Sequence, residues 1–338
     1  MIDPSGGKVA VIGAGSWGTA LALQFSRSGR DVRLWARNAE QCEAMQRDRV
    51  NERYLPDARF PDGLVASNDL QYVVEEPRDV LIAVPSHALR ETLTKVKPYL
   101  QAGDRISWAS KGFELSTGKL PHEVASEVVE ANRRQAVLSG PTFAKEVGAG
   151  LPTAMTVASE DPDYALEMAR TLTCEGFRAY TSDDIIGVEV GGAVKNVLAI
   201  GAGMSDGLGY GANTRIALIT RGLTEMTRLG VALGAKASTF MGLAGMGDLV
   251  LTCTDDLSRN RRMGLALAAG KSCEQALEEI QQVVEGVKAA VAVRDVARAS
   301  AVDMPICNEV YRILHEEVSP KEAVAALLSR DIGPEIEL

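Results

Sequence analysis

The tightest constraint on this chain is a six-residue stretch near its start, GAGSWG at 13–18. An apolar run, KVAVIG (8–13), precedes it, and an amphipathic pattern over roughly 16–28 follows it. The backbone must therefore arrive as a buried strand, turn at once and leave as a helix. Each glycine of the G-x-G-x-x-G spacing has a separate reason to be there. Gly13 permits the tight turn, Gly15 lets a pyrophosphate approach the backbone, and Gly18 lets helix and strand pack closely. The helix that follows points its free N–H groups at whatever anion lies there. Six such residues alone are a weak signal. Their strand–turn–helix setting makes dinucleotide binding the preferred reading over a purely structural glycine turn.

The alternation continues to about residue 181. DVRLWA (31–36) reads as a strand, a helical pattern follows near 38–50, and a polar, proline-containing stretch without an assigned element runs through Pro61. DVLIAV (79–84), DRISWAS (104–110), AVLS (136–139), PTAMTVAS (152–159) and FRAYTS (177–182) read as later strands. Strands alternating with helices predict an α/β domain with a doubly wound (Rossmann-type), mostly parallel sheet. After about 183 helical periods take over, at 187–205, 213–233, 236–241, 258–269, 272–281, 285–301, 305–315 and 319–330. The expected organisation is a dinucleotide-binding domain over 1–188 and an all-helical substrate and catalytic domain over 189–338.

Composition narrows the chemistry. Net charge is −9 over 338 residues, which argues against a general nucleic-acid binder, so an anionic substrate would need a local basic pocket. Cys42, Cys174, Cys253, Cys273 and Cys307 form no CxxC pair, and His87, His122 and His315 match no metal spacing. Reduced thiols, no metal and a cytoplasmic location are expected. The N-terminus lacks the apolar core of a signal peptide, and no membrane span is proposed.

Four local features could carry function. The second strand ends LWARN, placing Arg37 where an acid would hold the ribose of NAD; a basic residue there favours NADP(H), with NAD(H) as the alternative. In SGPTFAKEV (139–147) a Gly-Pro turn opens a helix at a strand's carboxyl end, where ligands bind in doubly wound sheets. In GMGDLVLTCTDDLSRNRRMG (245–264), Ser258 can cap a helix starting at Arg259, and Arg259, Arg261 and Arg262 with the exposed N–H groups make a candidate phosphate site. Finally, EVGGAVKNVLAIGAGMSDG (189–207) is a small-residue apolar helix with Lys195 in its middle, the one charge between Glu189 and Asp206. Gly191 and Gly192 are expected to leave a hollow beside its ammonium, and Asp248 and Glu285 are possible partners. A snorkelling lysine competes with a catalytic one, and periodicity leaves both open.

These segments resemble a known family. GAGSWGTALA, PSHALRETL, SKGFE, SGPTFAKEV, GVEVGGAVKNVLAIGAGMSDGLGYGANTRIALITRG, GLAGMGDLVLTCTDDLSRNRR and QVVEGVKA occur in the order and at the intervals of bacterial-type NAD(P)-dependent glycerol-3-phosphate dehydrogenase, from about Lys8 to residue 330. The first seven residues and the acidic tail IGPEIEL (332–338) look unshared. The resemblance implies reversible hydride transfer between a nicotinamide and dihydroxyacetone phosphate or sn-glycerol 3-phosphate, a phospholipid precursor, by a homodimer. It implies cofactor contacts at Ser16, Trp17, Arg37, Lys111, Ala144, Arg259, Val283 and Glu285, beside Gly13, Gly15 and Gly18. It implies substrate contacts at Lys111, Gly140, Thr142, Asp248, Ser258, Arg259 and Asn260, with Lys195 as the catalytic acid–base in a cleft between the domains. The alternatives are a related two-domain dehydrogenase of hydroxy acids or sugar nucleotides, which would not need the SRNRR pocket, and a nicotinamide sensor, which would not need Lys195.

Overall fold

The computed structural model describes residues 7–130 and 133–332; the other residues, the acidic tail beyond Ile332 included, lie outside the description. The described residues form two compact units, one within Met1–Lys111 and Pro121–Ile185, the other within Gly112–Leu120 and Ile186–Leu338.

The first unit is built on strands β1 (Val9–Ile12), β2 (Val32–Trp35), β3 (Val50–Asn51), β4 (Leu55–Arg59), β5 (Leu64–Ser67), β6 (Asp79–Ile82), β7 (Arg105–Trp108), β8 (Gln135–Ser139), β9 (Thr153–Ala158) and β10 (Phe177–Ser182). Its helices are α1 (Ser16–Arg27), α2 (Ala39–Asp48), α3 (Leu70–Val74), α4 (Leu89–Val96), α5 (Pro121–Val128), α6 (Ala144–Ala149) and α7 (Pro162–Leu172). Eight strands make one sheet in the order β10-β9-β8-β7-β6-β1-β2-β5, and β3 pairs with β4 in a separate hairpin. Every pairing in the large sheet is parallel except β8 with β9. β1 and β6 are buried at every residue, as strands covered on both faces must be, which explains the unbroken apolar run of β1 and the run Val80–Ile82 that follows Asp79 in β6. Short polar side chains open the helices: Asn38 caps α2, Asp69 caps α3, and Asp161 caps α7 ahead of Pro162.

The second unit is helical: α8 (Ile185–Gly207), α9 (Gly211–Ala232), α10 (Asp248–Thr254), α11 (Arg259–Ala268), α12 (Cys273–Ile280), α13 (Glu285–Ala299), α14 (Pro305–His315) and α15 (Pro320–Leu328). Among the described residues α8 is the one helix long and apolar enough to cross a bilayer, and 94% of its apolar window is buried within the protein. Its small residues serve close packing. A Cβ on Gly203 would lie 2.0 Å from the Arg261 carbonyl oxygen, and one on Gly264 of α11 would lie 2.0 Å from that of Ile200. The two backbones touch where both lack side chains.

Two expectations need correction. The stretch through Pro61 is not without structure, since it carries β3 and β4, and β5 follows directly. In β4 just Leu55 and Ala58 are buried, so the apolar signal is too sparse to read. The residues between 241 and 258, for which the sequence reading gives no element, likewise carry structure: a single π-helical turn at Leu243–Gly247 leads into α10, which at seven residues is too short to announce itself.

Candidate active site

In the first unit, the loop after β1 has the geometry that its glycines predict. Gly13 sits at φ 121°, in the region that favours glycine, and a Cβ there would lie 2.5 Å from the Ala83 carbonyl oxygen. A Cβ on Gly18 would lie 1.8 Å from the Gly13 carbonyl oxygen, so strand and helix meet there. Gly15 is different: a Cβ on it meets nothing within 4 Å. The N-terminus of α1, 12 residues long, carries no side-chain cap and no acidic residue in its first turn. Open space beside an uncapped, positive helix end fits a dinucleotide's pyrophosphate. Ser16 and Trp17 open the helix, both partly exposed, and Arg37 is exposed two residues beyond β2.

At the carboxyl ends of the adjacent strands β7 and β8, three expected residues come together. Lys111 Nζ donates to the Gly140 carbonyl oxygen at 3.4 Å, and Thr142 Oγ1 donates to the same oxygen at 3.3 Å. Ala144 is the first residue of α6, another helix opening without a side-chain cap.

In the second unit, Lys195 is buried at 7% exposure, and Asp248 at 1%. Lys195 Nζ donates to Asp248 Oδ1 at 2.5 Å and to Thr252 Oγ1 at 3.0 Å, and the Thr252 hydroxyl donates to the Asp248 carbonyl oxygen at 2.6 Å. An ammonium and a carboxylate both removed from water cost more than a surface pair, and such pairs are weak devices for stability. The expected hollow on the Gly191 side is absent. A Cβ there would lie 2.4 Å from the Ala244 carbonyl oxygen, so the small residue admits the π-turn backbone instead. Beside the cluster, burial pushes the Cys253 thiol up to about 12 against the pull of the Lys195 charge, leaving it protonated at neutral pH.

Next to the lysine, a second polar set links three helices. Asn196 Nδ2 donates to Glu285 Oε2 at 3.3 Å, Asn260 Nδ2 donates to Asn196 Oδ1 at 2.9 Å, and the Gly286 N–H donates to Asn260 Oδ1 at 2.9 Å. Glu285 thus meets Asn196, while Asp248 is the carboxylate on the ammonium. Val283, in the segment before α13, is 52% exposed.

Ser258 caps α11 by accepting the Arg261 N–H at 3.2 Å, as its spacing predicts. The three arginines do not act together. Arg261 bonds Asp206, Asp256 at 2.9 Å and the Cys253 carbonyl at 3.3 Å. Arg259 makes no ion pair or side-chain hydrogen bond with the described residues. Residues three apart share a helix face whereas residues one or two apart do not, so Arg261 lies off the face that Arg259 and Arg262 share. Thr252 and Asn196 were missed from sequence. Had 248–254 been read as a helix, Thr252 would have lain four residues from Asp248 on the same face. Among the described residues no three His, Cys, Asp or Glu side chains gather as a metal site would require.

Comparison with known proteins establishes the family. Residues 8–165 match the profile of the NAD-dependent glycerol-3-phosphate dehydrogenase N-terminus, and residues 184–325 match that of its C-terminus. The chain is 52% identical over 324 residues to glycerol-3-phosphate dehydrogenase (NAD(P)+) of Tolumonas auensis, covering 96% of this chain and 97% of that one. It is 54% identical over 327 residues to the enzyme of the same name from Thioalkalivibrio sulfidiphilus, covering 97% and 98%. A crystal structure of glycerol-3-phosphate dehydrogenase from Coxiella burnetii superposes with a TM-score of 0.92 at 48% identity, covering 96% of this chain and 99% of that one. The chain belongs to the NAD-dependent glycerol-3-phosphate dehydrogenase family.

Proposed function

We propose that this chain reduces dihydroxyacetone phosphate reversibly to sn-glycerol 3-phosphate, with Lys195 as its acid–base group. The observation that carries the assignment is the buried Lys195–Asp248–Thr252 set, a charge pair placed where stability alone gives no reason for one. A bound nicotinamide would supply or accept the hydride at carbon 2. As the carbonyl is reduced, its oxygen gains negative charge and needs a proton. The Lys195 ammonium polarises that oxygen and donates; in the reverse direction the neutral amine takes the proton back. Asp248 and Thr252 aim the ammonium, and Asp248 balances its charge.

Arg259, which like Arg262 has no side-chain partner among the described residues, is assigned to the substrate phosphate because it opens the helix that Ser258 caps. Asn260 has one amide N–H beyond those already committed. Lys111, Gly140 and Thr142, on the first unit, are read as further substrate contacts. Gly13, Gly15, Gly18, Ser16 and Trp17 hold the pyrophosphate, with Ala144, Val283 and Glu285 as further cofactor contacts. Exposed Arg37 supports recognition of the 2′-phosphate of NADP(H), with NAD(H) the alternative. A cytoplasmic homodimer making phospholipid precursor completes the reading.

The test is NADPH oxidation at 340 nm with dihydroxyacetone phosphate beside unphosphorylated dihydroxyacetone. Rapid oxidation with the phosphate alone is expected. Arg259→Ala should lower kcat/KM for the phosphorylated substrate by about 10- to 100-fold, the worth of a lost hydrogen bond to a charged group. Equal rates with both substrates would refute the phosphate assignment.

A further inference from the structure

Asn51 lies at the end of β3, inside the stretch whose sequence announces no element, and its side chain is 1% exposed. A buried amide must spend its polar atoms on partners. Asn51 spends both N–H groups on the start of the glycine-rich unit. Nδ2 donates to the Ala14 carbonyl oxygen at 3.0 Å and to Thr19 Oγ1 at 2.8 Å. A backbone carbonyl can accept but never donate, so the amide must face it with its nitrogen, which settles the orientation. Gln41 Nε2 lies 3.5 Å from the outward Oδ1. Thr19 is fully buried in the first turn of α1, and its own N–H donates to the Gly15 carbonyl at 2.9 Å. One side chain therefore ties together the loop and the helix that it opens.

The consequence concerns the next amide along the chain. The Ala14 carbonyl and the Gly15 N–H belong to one planar trans peptide unit, so they point in opposite directions. Holding the oxygen toward the buried Asn51 turns the Gly15 N–H away from it. That N–H has no backbone acceptor among the described residues, and Gly15 borders open space. We propose that Asn51 is a positioning residue for the cofactor: it fixes the Ala14–Gly15 peptide so that the Gly15 N–H is presented to the pyrophosphate. Without it the peptide would be free to rotate, and part of the binding energy would go to ordering it.

The proposal rests on the reading of this loop as a dinucleotide site, and the experiment separates the two. NADPH affinity is measured by quenching of intrinsic fluorescence in the wild type, Asn51→Leu and Asn51→Ser, beside steady-state kinetics with dihydroxyacetone phosphate. Asn51→Leu keeps roughly the volume and removes the donors. It should raise the Kd for NADPH about tenfold, as loss of a buried hydrogen bond would. At saturating NADPH, kcat and the KM for dihydroxyacetone phosphate should stay within about twofold, which a general defect in folding would not allow. Asn51→Ser, smaller and still a donor, serves if the leucine variant does not fold, with Kd expected between the two. An unchanged Kd in a folded variant overturns the positioning role, as does a fall in kcat that matches the loss of affinity. A wild type that binds neither NADPH nor NADH refutes the dinucleotide reading itself.

Discussion

The loop at 13–18 contains no charged side chain, whereas the cluster around Lys195 sets an ammonium against a carboxylate, both nearly out of water. The loop offers an anion uncharged donors, chiefly backbone N–H groups and a helix dipole, and the close approach they need comes from side chains that are missing at its glycines. In the proposed reading the cluster offers a proton from Lys195, and its specificity comes from side chains that are present and paired. Backbone donors cannot change charge, so they suit a group, such as a pyrophosphate, that is held while the chemistry happens elsewhere. A proton transfer needs a titratable group, and burying that group requires a counter-charge.

Lys195→Met is the strongest way to break the comparison. Removing the acid–base should lower kcat by about 10²- to 10⁴-fold while the Kd for NADPH stays within about twofold. If the Kd rises and kcat holds, the two regions do not divide the work as described.

A second buried carboxyl sharpens the contrast. Glu225 accepts the N–H groups of Ile306 at 2.7 Å and Cys307 at 3.1 Å, at the start of α14. Burial raises its carboxyl from 4.5 to about 7, against those two donors and with Asp303 adding to the rise. The folded chain therefore holds a proton that the unfolded chain releases at lower pH. The stability from this group is complete below about pH 4.5 and is lost as pH rises through about 7, a loss of up to about 3 kcal/mol. The difference in Tm between the wild type and Glu225→Gln, measured from pH 5 to pH 8, should move against the wild type as pH rises. Parallel curves would mean that Glu225 is ionised throughout, like an ordinary helix cap. The smallest effect belongs to the α11 cap: Ser258→Ala should cost about 1 kcal/mol in thermal unfolding and weaken dihydroxyacetone phosphate more than NADPH. Equal weakening of both ligands would reduce Ser258 to a structural cap.

Much of the first unit was legible because its signals are local. A buried strand such as Val9–Ile12 advertises itself by an unbroken apolar run, and Gly13, Gly15 and Gly18 lie within six residues. Ser258 could be placed as a cap because it bonds a neighbour three residues on. β3 and β4 were not legible, since a hairpin with few buried positions has no period to read.

By itself, the sequence determined the alternating first half and the helical second half, the glycine loop, the cap at Ser258 and the unusual placement of Lys195. Each depends on propensity, steric need or periodicity within a few residues. The tertiary structure alone decided that Asp248 meets Lys195 across 53 positions, that Arg261 turns inward and Arg259 does not, and that Asn51 reaches back 37 positions to hold Ala14. Packing filled the place beside Gly191 with the Ala244 carbonyl. Hydrogen bonds and ion pairs act over about 3 Å in space and carry no record of separation along the chain.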